Sequence, residues 1–98
     1  MAAVTKLEIL TPEEEIYTGE VEELDVITVK GSEGYLPGHV WCRKLLKEDG
    51  KVTFREPGSP EHRELKTRGG FVEVRDAFTV YAESAEWIKG NPAEDEED

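Results

Sequence analysis

Ninety-eight residues fit one small domain, which buries only about two-thirds of the surface its unfolded chain exposes. Asp and Glu number 23 against 12 Lys and Arg, and a formal charge of −11 repels phosphate backbones and anionic lipid headgroups, so neither nucleic-acid binding nor direct membrane insertion is expected. Hydrophobic residues make up 37% of the chain, enough to fold, and the one cysteine, Cys42, excludes an internal disulfide. With no signal-peptide pattern and no run of about 18 apolar residues, a soluble cytosolic protein is expected.

The chain opens with "KLEIL", where Leu7 and Ile9 share one parity and Lys6 and Glu8 the other, the period of a strand with one buried face. "TPEE" offers a helix start, with Thr11 as cap, Pro12 at the first turn and Glu14 three residues after Thr11. Too few residues precede Gly19 for a helix, so a turn and a short strand through Ile16 and Tyr17 are predicted. From Gly19 the run "GEVEELDVITVK" changes parity between Val21 and Leu24, which predicts a central strand with a bulge or with both faces covered. Gly31 to Gly38 then reads as a corner.

"VWCRKLL" fits a helical stripe or an alternating strand, and we assign a strand. "KVTF" is a strand, "EPGSPEH" a connector, and the thinly apolar "RELKT" an edge strand. "GGFVEVRDAFTVYAE" reads as a hairpin turning near Asp76. After Ser84 the chain allows one helical turn before Gly90, Asn91 and Pro92 stop it. Many short strands with frequent turns and little or no helix predict an all-β, antiparallel β-sandwich. The run Glu94 to Asp98 is entirely acidic and reads as a solvated, disordered tail, so we divide the chain into a sandwich domain at 1–87 and a tail at 88–98.

Chemistry is sparsely marked. His39 and Cys42 have the spacing of two metal ligands, but a structural zinc site needs four, and no metal or cofactor is expected. A Cys–His nucleophilic pair has no orienting third group, and no GxxxxGK[ST] loop or dinucleotide fingerprint occurs, so nucleotide binding and catalysis are not expected either. The residues favour a binding or structural module.

Three segments in order, "KLEILTPEEEIYTGEVEEL", "EGYLPGH" and "GGFVEVRDAFTVYAESAE", resemble the amino-terminal domain of the epsilon subunit of F-type ATP synthase, called delta in mitochondria. The likeness spans Leu7 to Trp87. It implies a ten-stranded sandwich at the foot of the rotor's central stalk, a non-catalytic subunit that grips the gamma subunit and the c-ring and so couples ion flow to ATP synthesis. It also implies a peripheral place at the cytoplasmic face of the energy-transducing membrane. By the same resemblance Glu33, Gly34, Leu36, Pro37, Gly38, His39 and Trp41 lie on the side of these partners.

Three departures qualify the likeness, the first being that between Glu33 and Leu36 this chain is shorter than the family's usual "EGELGILPGH". The family's smoother "APLLTAL" is replaced by "VWCRKLL", which places Trp41, Arg43 and Lys44 there. The carboxy-terminal helix pair that inhibits ATP hydrolysis in many members has no counterpart in these 98 residues, so inhibition through it is not expected. The alternative is a free-standing sandwich adaptor that has kept the fold and binds another protein.

Overall fold

The computed structural model describes residues 3–91. They form ten strands and, among the described residues, no helix: β1 (Thr5–Leu10), β2 (Glu15–Val21), β3 (Glu23–Thr28), β4 (Gly31–Tyr35), β5 (Cys42–Leu45), β6 (Gly50–Arg55), β7 (Arg63–Arg68), β8 (Phe71–Val74), β9 (Phe78–Tyr81) and β10 (Ser84–Lys89). The first sheet has the order β2-β1-β9-β8-β5 and the second β10-β7-β6-β3-β4. Pairing is antiparallel throughout except between β1 and β9, which run parallel with Leu7 opposite Phe78 and Ile9 opposite Val80.

The alternation seen in the sequence is realised as burial. Leu7 and Ile9 of β1, Val72 and Val74 of β8, Phe78 and Val80 of β9, and Val52 and Phe54 of β6 are all inaccessible or nearly so. Each such side chain contributes about 1.5–3 kcal/mol through transfer from water, and together they join the two sheets. The predicted competition at Thr11 resolves as a turn. The Thr11 hydroxyl oxygen accepts from the Glu13 and Glu14 amides at 3.4 and 3.2 Å, and the Thr11 amide donates to the Glu14 carbonyl at 2.9 Å.

Four expectations are corrected. The parity change after Gly19 is neither a bulge nor a doubly covered strand. Tyr17 and Val21 point inward from β2 in the first sheet, while Leu24, Val26 and Thr28 point inward from β3 in the second. Glu22 is the single residue between the strands, so the chain changes sheet there and the buried parity changes with it. Secondly, the corner at Gly31 to Gly38 contains a strand: Gly31–Tyr35 pairs fully with β3, and the bends fall at Gly31 (φ 126°) and at Gly38 (φ 87°).

Thirdly, Ser84–Lys89 is a strand and not a helical turn, with Ala85 opposite Thr67 and Trp87 opposite Leu65. A register shift between Trp87 and Lys89 breaks the alternation that would have betrayed it. Fourthly, with β10 in place, β7 has neighbours on both sides and is no edge. The edges are β2 and β5 in one sheet, β10 and β4 in the other. Strand β10 carries the sandwich to Lys89, and the acidic run expected as a tail lies outside the described residues.

Candidate protein interface

Strand β4 ends one sheet and β5 ends the other, and the segment 36–41 joins them across one end of the sandwich. The turn is closed by a hydrogen bond from the His39 amide to the Leu36 carbonyl, 3.0 Å, with Gly38 supplying the positive φ. The His39 ring stands edge-on to buried Tyr35 at 4.9 Å between centroids. Its Nδ1 lies 2.7 Å from the Val40 carbonyl, and since a carbonyl only accepts, that nitrogen carries the proton.

The residues expected to meet partners divide into two groups. Glu33 bonds within the sandwich, whereas Gly34 is exposed on the outer side of β4. One Glu33 oxygen accepts from the Tyr35 hydroxyl at 2.7 Å and the other from Lys44 Nζ at 3.0 Å, so the carboxylate spans from β4 to β5. These two donors hold the Glu33 carboxyl below the usual glutamate range. Burial, followed by the Glu33 carboxylate, pushes the Tyr35 phenol well above its ordinary value. Gly34 lies opposite Asp25, and a Cβ there would come within 2.6 Å of the Asp25 carboxylate. Leu36 and Trp41, in contrast, present side chains 64% and 63% exposed, beside Val40 at 74%. Pro37 and Gly38 shape the loop that displays them.

A second exposed apolar feature was not legible beforehand. On the outer face of the first sheet the registers place Leu10, Tyr81, Phe71 and Leu45 in one row across β1, β9, β8 and β5. The Phe71 and Tyr81 rings stack at 5.6 Å with 18° between planes, and the Arg43 guanidinium lies over Phe71 at 4.2 Å from its centroid. Exposed Val29 extends the row, its amide bonded to the Leu45 carbonyl at 3.0 Å. The outer face of the second sheet is polar in the corresponding rows, with Asp25 opposite Thr53, and Lys51 opposite Lys66. The available signal was an apolar residue on both parities of β8 and β9, Phe71 beside Val72 and Tyr81 beside Val80. Only the register shows that these outward residues are neighbours.

Among the described residues no group of three or more His, Cys, Asp or Glu side chains is placed to hold a metal, His39 and Cys42 included. No helix of the described residues is long and apolar enough to cross a membrane. The described residues thus form a two-sheet β-sandwich that displays an exposed apolar loop beside a face bearing an aromatic row.

Residues 4–88 match the family of the ATP synthase delta/epsilon chain β-sandwich domain, and the chain belongs to that family. It is 37% identical over 82 residues to the ATP synthase epsilon chain of Caldanaerobacter subterraneus subsp. tengcongensis, covering 83% of this chain and 58% of that one. It is also 37% identical over 86 residues to the epsilon chain of Bacillus subtilis, covering 87% and 63%. The chain thus spans about three-fifths of the length of these curated relatives.

Its fold is shared with a chain of the Euglena gracilis mitochondrial ATP synthase, in a structure of OSCP, F1 and c-ring. The TM-score is 0.81 at 21% identity, over all of this chain and 58% of that one. A chain from the Tetrahymena thermophila mitochondrial ATP synthase central stalk and c-ring gives 0.71 at 13% identity, over 84% and 65%.

Proposed function

We propose that this chain works as a rotor subunit in the central stalk of an ATP synthase, peripheral to the membrane, holding the gamma subunit and the c-ring together without itself making or breaking a bond. The observation that carries the reading is the asymmetry of the surface. Apolar side chains gather on the outer row Leu10–Tyr81–Phe71–Leu45 and on the loop from Leu36 to Trp41, while the corresponding rows of the other sheet are polar. A subunit transmitting torque needs a stiff body and a contact with an apolar centre, and cross-strand pairing over ten strands supplies the stiffness. Membership of the family, and the central-stalk and c-ring assemblies named for the structural neighbours, support the same assignment. Coupling of ion flow to synthesis and a place at the cytoplasmic side of the membrane go with this role.

Affinity purification from the native source tests it: the gamma subunit and c-ring co-purify with the chain. Recovery of neither, with the chain a stable monomer, sinks the rotor role. That result favours the second reading, a free-standing adaptor, for which the bulky, charged segment at Trp41, Arg43 and Lys44 is the specific observation.

A further inference from the structure

Beside the apolar loop lies a shallow groove of about 310 Å³ lined by Trp41, Cys42, Arg43, Glu73, Val74 and Arg75. Its charge is unusual for this molecule. Two guanidinium groups face a single carboxylate on a chain whose net charge is −11. Arg43 sits directly opposite Glu73 in the β5–β8 register, yet its guanidinium lies on the Phe71 ring, and no carboxylate is within ion-pair reach of it among the described residues. Glu73 instead meets Arg75, loosely, at 3.8 Å, and the Arg75 guanidinium is 5.5 Å from the centroid of the Trp41 ring.

A guanidinium stacked on an aromatic face is fixed in orientation while the N–H donors around its rim stay available. Arg43, stacked in this way, and Arg75, more loosely placed over Trp41 at 5.5 Å, flank one groove and together could grip a carboxylate by paired hydrogen bonds, the geometry for which arginine is suited and lysine is not. Val40, Trp41 and Leu45, all more than 60% exposed, border the same region and would cover an apolar neighbour of that carboxylate.

We propose that this groove docks an acidic segment of a protein partner, one presenting an Asp or Glu side chain beside an apolar one, with Arg43 and Arg75 as the gripping groups and Trp41 as the wall. Charge complementarity is the warrant: the groove is a local excess of cations on a strongly acidic body. The same overall charge disfavours an anionic lipid surface, which would face the whole molecule and not one segment of it. The proposal deepens the docking role by naming the chemistry of the partner, and its test needs no other ATP synthase subunit.

The test is a heteronuclear NMR titration of the full chain with a capped peptide of alternating Leu and Glu, with the same peptide carrying Gln for Glu, and with phosphatidylglycerol vesicles in parallel. The Trp41 indole N–H is expected to shift saturably with the Glu peptide alone, while the half-buried Trp87 indole stays in place. Replacing both arginines (R43Q/R75Q) should weaken the effect by about tenfold or more, and R43K/R75K, which keeps the charge and loses the fork, should restore only part of it. No shift, or an equal shift with the Gln peptide, overturns the proposal. So does vesicle binding that the same substitutions abolish, which would assign the groove to lipid. A Glu-specific shift in a chain that fails to co-purify gamma or the c-ring would sink the rotor role and leave the groove standing.

Discussion

Glu33 of β4 and Lys44 of β5 meet at 3.0 Å across the open side of the sandwich, tying the edge strand of one sheet to the edge strand of the other. Tyr35 donates to the same carboxylate, so the pair closes the mouth of the core next to the displayed loop. Because the folded Glu33 is held below its ordinary range, the unfolded chain binds its proton first as pH falls. The stabilisation is therefore present above the usual glutamate range and is lost as pH drops through the lowered folded value. For a pair this accessible to solvent it amounts to less than about 1 kcal/mol. Urea unfolding as a function of pH should show the acid-side loss reduced in E33Q, and reduced by less in K44M, which keeps the Tyr35 donor. An unchanged slope would show that the bridge contributes nothing.

At the far end of the core Tyr17 lies 4.5 Å from Phe54 and 6.4 Å from Trp87 between ring centroids, and its hydroxyl donates to Glu56 at 2.6 Å. Burial first, then the Glu56 carboxylate, raises the phenol well above its normal value. A raised folded pKa stabilises below the unfolded value and is lost as pH climbs past it, so Tyr17 and Tyr35 both place this loss above about pH 10. Circular dichroism should show strand structure collapsing in alkali together with the rise of tyrosinate absorbance, and Y17F should retain more of its structure there. At neutral pH the same substitution should cost about 1 kcal/mol, the lost hydrogen bond.

Gly70 and Gly38 both have positive φ, 91° and 87°, but their surroundings differ. A Cβ at Gly70 would collide with the Tyr81 carbonyl, a backbone group fixed by the β8–β9 hairpin, whereas nothing lies within 4 Å of one at Gly38. Gly70→Ala is expected to cost about 2–3 kcal/mol or more, roughly 10–20 °C in Tm, and Gly38→Ala only about 1 kcal/mol from backbone strain. Calorimetry of the two variants separates strain from collision. Equal Tm values would refute the distinction.

Leu45 is 64% exposed on the aromatic row, so Leu45→Glu should change stability by no more than about 0.5 kcal/mol. It should nevertheless cut recovery of gamma and c-ring sharply, because it puts a charge into an apolar contact. Thr53→Glu, on the polar face of the second sheet, should leave recovery unchanged. Equal recovery of both variants would move the interface away from this row.

Much of this was legible beforehand where one physical rule acted alone. In β1, β6, β8 and β9 an apolar residue recurs every second position, and burial follows because a pleated strand turns alternate side chains to opposite faces. The bend at Pro37 and Gly38 was legible for a similar reason, since these residues constrain the backbone locally, although the corner drawn from Gly31 took in strand β4. Reading failed where two rules met. At Glu22 a change of sheet imitated a bulge, and at Ser84–Lys89 a register shift hid a strand whose apolar content is thin.

What the chain order by itself determined is the class of architecture and the place of the exposed loop, because hydrophobic period and turn chemistry are properties of neighbouring residues. The tertiary structure alone decided which distant side chains stand together. Glu33 is clasped by Tyr35 and Lys44, and Leu10, Tyr81, Phe71 and Leu45, 71 positions apart at the extremes, line up on one face. Such alignment is set by strand register, which depends on how two sheets satisfy their backbone hydrogen bonds and core together, and no local pattern encodes it.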